Sequence, residues 1–124
     1  MMHRGLGRIK YYNHYVVCEI SQGIVDFYYS LIPKYYYANR QANKAHITVS
    51  RLGKEEPGRR HWKYRDGQYV EFFYDSYVYF DHPYFFLKAY SDEICEIREK
   101  LFLPRHRLPF KCHHITVGNV KEQK

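Results

Sequence analysis

The sequence predicts an α+β fold of two related lobes, and three observations carry that expectation. The tetrapeptide His-Ile-Thr-Val occurs twice, at 46–49 and at 114–117, about half the chain apart. Each copy is a short β-branched run that reads as a strand, and each is preceded by a segment with helical apolar spacing. The resulting order of strand, helix, motif strand, strands, helix, motif strand delivers one copy in each half. At 124 residues the chain suits a single core, so one domain spanning 1–124 is expected, with antiparallel sheets and two main helices.

In chain order, Gly5-Leu6-Gly7-Arg8-Ile9-Lys10-Tyr11-Tyr12-Asn13 mixes glycines, cations and tyrosines. It reads as an opening segment that could line a ligand cleft, ahead of a first strand from His14 to Ile20. Ser21-Gln22-Gly23 breaks that strand. Ile24, Phe27, Tyr28 and Leu31 then fall at i, i+3, i+4 and i+7, the stripe of an amphipathic helix that stops at Pro33. Tyr35-Tyr36-Tyr37 has no readable conformation, and the first motif strand runs from about Lys44 to Arg51. Between 51 and 65 six cations surround Pro57, Gly58 and Trp62, a pattern that fits either a solvated connection or a basic flap over a nucleotide. Gln68 to Tyr74 and Tyr77 to Phe80 read as strands joined at Asp75-Ser76, and Pro83 opens another through Ala89. Ser91 is placed to cap a second helix, with Asp92 and Glu93 in its first turn, Lys100 near its end, and Ile94, Ile97 and Leu101 as its buried stripe. Pro104 ends it, and the second motif strand begins near Lys111. Residues 121–124 read as a frayed tail.

Alternate side chains of a strand share a face, so His46 projects beside Thr48 and His114 beside Thr116, while Ile47, Val49, Ile115 and Val117 face the other way. A single histidine in a strand is ordinarily half-buried and hydrogen-bonded. A matched pair is different, because the unperturbed imidazole titrates near neutrality and two of them can supply one neutral base and one protonated acid. Threonine hydroxyls beside them can donate to non-bridging phosphate oxygens.

The two complete His-x-Thr motifs, His46 with Thr48 and His114 with Thr116, resemble those of the 2H phosphoesterase superfamily. Its members include RNA ligase-like 2′,3′-cyclic phosphodiesterases and small phage anti-CBASS nucleases that destroy cyclic oligonucleotide signals, and a short chain with little beyond the two motif halves looks more like the latter. The resemblance implies two lobes facing each other across a central cleft, with His46, Thr48, His114 and Thr116 catalytic. It also implies metal-independent cleavage of 3′–5′ bonds in a cyclic oligonucleotide. An RNA 2′,3′-cyclic phosphodiesterase is the enzyme alternative.

A formal charge of +7 favours a polyanionic partner. Most of the 15 Tyr and 8 Phe are expected in the core and on sheet faces. Tyr12 and Trp62, each in a cation-rich stretch, are candidates for substrate binding by base stacking. Charge and aromatics alone would also suit a non-catalytic nucleic-acid binder, which leaves the repeated motif without a role. Cys18, Cys95 and Cys112 are odd in number and lack a Cys-x-x-Cys pair, so they read as reduced core thiols. A metal site from Cys112, His113 and His114 is disfavoured, since alternation lets only Cys112 and His114 converge; neither metal nor cofactor is expected. No apolar run is long enough to span a bilayer and the first eight residues lack a signal-peptide core, so a cytoplasmic protein without membrane contact is expected.

Overall fold

The computed structural model describes residues 2–51, 54–107 and 110–120; the expected tail lies outside them. The strands are β1 (Met2–Tyr11), β2 (Tyr15–Glu19), β3 (Asn39–Arg40), β4 (His46–Arg51), β5 (Tyr69–Asp75), β6 (Tyr79–Asp81), β7 (Tyr84–Tyr90) and β8 (His113–Asn119). Helix α1 covers Gln22–Ser30 and helix α2 covers Asp92–Lys100, while Tyr35 and Tyr36 lie in a single 3-10 turn, Lys34–Tyr36, that Tyr37 ends. Six strands, in the order β8-β4-β2-β1-β5-β7, close on themselves through a β7–β8 pairing, with β3 and β6 added at β8 and β7. The pairings are all antiparallel.

This closed barrel corrects the expected two-lobed α+β fold. The segment read as a flexible opening is instead the ten-residue β1, hydrogen-bonded to β2 on one side and to β5 on the other, so it joins the two halves of the chain into one wall. Closure leaves no cleft between lobes, and it pairs strand edges that an open sheet would expose. Glycine hid the strand from view. A Cβ at Gly5 would run into the Phe72 ring, and one at Gly7 into Cys18 Sγ and the Glu19 carbonyl, so both glycines are there because neighbouring groups press on the β1 backbone. Gly7→Ala is accordingly expected to cost about 1–3 kcal/mol in urea unfolding, the usual price of overpacking; a variant as stable as the parent would show that β1 does not press on β2 there.

One face of every barrel strand is apolar and points inward: Ile9, Cys18, Ile47, Val49, Val70, Phe72, Leu87, Ala89, Ile115 and Val117 form one continuous core. α1 lies against the C-terminal end of β8, where Gly118 faces Ile32 and Tyr29. Its buried residues are Val25 and Tyr28, followed by Ile32, whereas Phe27 and Leu31 of the expected stripe are exposed. The buried stripe is therefore turned toward Val25 and Ile32 while keeping Tyr28, whose ring meets that of Tyr74 at a centroid distance of 6.2 Å. α2 matches expectation closely. Ser91 Oγ accepts from the Ile94 N–H, and Ile94, Ile97 and Leu101 are fully buried. No helix among the described residues is long and apolar enough to cross a membrane.

Candidate active site

The barrel makes the two motif strands neighbours. β4 pairs with β8 at Ile47–Ile115, and both isoleucines are fully buried. Continuing that antiparallel register one residue each way sets His46 opposite Thr116 and Thr48 opposite His114, all four on the outer face. The quartet has local two-fold symmetry about the isoleucine pair. Each histidine is a diagonal neighbour of the other across the strands, a relation that places Cα atoms about 7–8 Å apart, close enough for two imidazoles to address one phosphate. The register thus puts His46 and His114 on one barrel wall, not on two lobes facing each other across a cleft.

The flanking strands complete two cross-barrel rows. Glu19 of β2 pairs with His46, and Phe86 of β7 with Thr116; Val17 pairs with Thr48, and Lys88 with His114. His46 Nδ1 lies 2.7 Å from the Lys44 carbonyl. A carbonyl can only accept, so Nδ1 carries a proton and Nε2 is the nitrogen left to exchange one with a ligand. His114 is held between the rings of Phe86 and Phe110, at centroid distances of 4.6 and 4.8 Å. Burial pushes its pKa below the ordinary histidine value, and the Arg107 and Lys88 cations push the same way against the opposing Asp81 carboxylate. His114 therefore favours the neutral form, and the same two cations set positive charge beside it.

Tyr12 borders this face. Its ring stacks on Tyr15 at 4.8 Å, and its hydroxyl reaches Glu19 Oε2, the row neighbour of His46, at 3.5 Å. Trp62 does not join it. Its ring makes a T-shaped contact with that of Tyr11, and both pack against the core, with the Arg59 guanidinium 4.3 Å from Trp62. The described part of the basic stretch lies along α2 rather than over the motifs: Gly58 N donates to the Leu101 carbonyl, Tyr64 bonds Glu96, and Arg65 pairs with Glu93.

Lys88, Arg107, Phe86 and Phe110 are absent from the residues singled out by sequence. Lys88 had a readable signal, as the one cation in the alternating run Phe85-Phe86-Leu87-Lys88-Ala89, where Leu87 and Ala89 mark the inner face. The other three depend on a tertiary neighbour. Of the cysteines, Cys18 and Cys95 are buried, whereas Cys112 is half-exposed.

Fold and site together define a small closed antiparallel β-barrel with a paired histidine–threonine face on its outer wall. No protein-family profile, curated protein or solved structure matches the chain.

Proposed function

We propose that the protein is a cytoplasmic, metal-independent phosphodiesterase that cleaves 3′–5′ bonds of cyclic oligonucleotides by two-histidine acid–base catalysis. The observation that supports this most is the register at Ile47–Ile115, which sets two imidazoles and two hydroxyls on one face with cations beside them. In this reading neutral His114 takes the proton of a ribose 2′-hydroxyl as its oxygen attacks the adjacent phosphorus. The bond from phosphorus to the 5′-oxygen breaks, and protonated His46 gives its Nε2 proton to that leaving oxygen. The products are a 2′,3′-cyclic phosphate and a 5′-hydroxyl. Thr48 and Thr116 would donate to the non-bridging oxygens, with Lys88 and Arg107 countering the charge that grows on them. The choice of a cyclic oligonucleotide over an RNA end rests on the resemblance of the two His-x-Thr motifs alone.

The test is incubation with a panel of cyclic di- and trinucleotides and linear RNA, with products resolved by chromatography. Linear or shorter products from the cyclic substrates support the proposal, and turnover of RNA ends alone would move it to the alternative substrate. A non-catalytic nucleic-acid binder draws on a specific observation too: the quartet lies on an outer wall, where water is not excluded. Tight binding with no product in any arm would establish that reading instead.

Tyr12 offers a 40%-exposed ring at the edge of the face. Tyr12→Ala is expected to weaken nucleotide binding by roughly tenfold, since one base–aromatic stack is worth about 1–3 kcal/mol. Trp62→Ala should act on stability more than on binding, because its ring is part of the barrel's packing. Isothermal titration of both variants separates the two roles, and unchanged affinity in Tyr12→Ala would remove Tyr12 from the site.

A further inference from the structure

On the inner face of the same strand, β8 takes part in a second cluster that the two-histidine chemistry does not use. His113 lies one residue from His114 and so points into the barrel, where it meets Cys95 of α2 and His106 of the connection between α2 and β8. Cys95 Sγ is 3.5 Å from His106 Nε2 and 3.7 Å from His113 Nε2, and the three donor atoms all lie within 4.8 Å of one another. We propose that Cys95, His106 and His113 bind a soft divalent transition metal, with zinc as the best-suited ion, in a site that ties α2 and the following connection to the start of β8.

Three features carry this. With zinc–sulfur bonds of about 2.3 Å and zinc–nitrogen bonds of about 2.0–2.1 Å, a tetrahedral site has an S···N edge of about 3.6 Å, which both observed separations match. One thiolate and two imidazoles are a donor set suited to zinc, leaving one position for water or another small donor. The nearby guanidiniums are already countered, Arg98 by Glu55 and Arg105 by Asp92 and Glu99, so their repulsion of a cation is reduced. Binding replaces the Cys95 thiol proton with the metal and releases one proton to solvent.

Linear spacing concealed the cluster, because its members come from a helix, a connection and a strand. The site faces away from the His46–His114 quartet, so the metal would act on stability and take no part in proton transfer there.

The purified, metal-stripped full chain is titrated with cobalt(II) alone. The expected result is about one equivalent bound, with tetrahedral visible bands and a near-ultraviolet thiolate-to-cobalt transition that excess zinc abolishes. Cys95→Ser should lose the thiolate transition, and His106→Ala, on the connection, should weaken binding at least tenfold, while Cys18→Ser and Cys112→Ser leave the spectrum intact. Zinc at about a hundredfold its Kd should raise the Tm of the parent on the order of 10 °C and leave that of His106→Ala nearly unmoved. No thiolate transition in the parent, or one that survives Cys95→Ser, overturns the proposal.

Discussion

His46→Ala and His114→Ala are each expected to lower turnover of a cyclic oligonucleotide by roughly 10²–10⁴-fold, the range for removing a general acid or base. Both side chains leave the barrel on its outer face and the fully buried Ile47 and Ile115 hold the strands in register, so the variants should keep the parent's circular dichroism. Thr48→Ala and Thr116→Ala should cost less, since each removes one donor and leaves proton transfer intact. The pH profile follows from His114. Burial, helped by Arg107 and Lys88, holds its pKa below the ordinary value near 6.5, so the base stays deprotonated further into acid and the acid limb of the rate profile lies on that side. Lys88→Gln removes one of the charges opposing protonation and should shift the limb back toward neutrality. The alkaline limb marks loss of the proton from the acid partner, which gives a bell overall. Activity should persist in excess chelator, measured well below the unfolding temperature so that a stabilising metal on the inner face does not confuse the outcome. Chelator-sensitive turnover at that temperature, or a folded His46→Ala with near-normal turnover, would end the two-histidine mechanism.

Local signals carried through to the structure where their cause is local. The Ser91 cap, the α2 stripe and the alternation of the motif strands are set by residues within a few positions of one another, and each is found as read. Barrel closure is not of that kind. It rests on β1, where Gly5 and Gly7 look like breakers until Phe72 and Cys18, far away in sequence, are seen lying against them. The site divides in the same way. Alternation puts His46 with Thr48 and His114 with Thr116, but it does not specify that β4 and β8 are neighbours, which is what turns two pairs into a quartet. Trp62 differs again: its cation-rich context suggests base stacking, while its ring makes a T-shaped contact with Tyr11 at a centroid distance of 5.0 Å, a neighbour that linear context does not give.

Arg98→Met is expected to destabilise the protein by about 3–5 kcal/mol, a fifth or more of a typical domain's stability. Arg98 is only 2% exposed. Its Nε donates to the Pro104 carbonyl at 2.7 Å, Nη1 to the Val49 carbonyl at 2.7 Å and to Glu55 Oε2 at 2.9 Å, and Nη2 to Glu55 Oε1. The guanidinium thus binds α2 to the turn that follows it and to the second half of β4, the strand that carries His46 and Thr48. Methionine keeps most of the apolar stem but leaves the Glu55 carboxylate, whose side chain is 10% exposed, without its counter-charge and two carbonyls without their donor. Lysine should not rescue the loss, because an ammonium cannot reproduce the planar fork that meets Glu55 and the backbone together. The double variant Arg98→Met with Glu55→Leu should recover much of the deficit, since a buried ion pair replaced by apolar groups of similar size is often neutral, whereas half of one is costly. Urea unfolding of the four proteins closes the cycle: the midpoint should fall with little change in slope for each single variant and rise again in the double. An Arg98→Met protein within about 1 kcal/mol of the parent would mean that the pair behaves as an exposed salt bridge and that β4 is held without it.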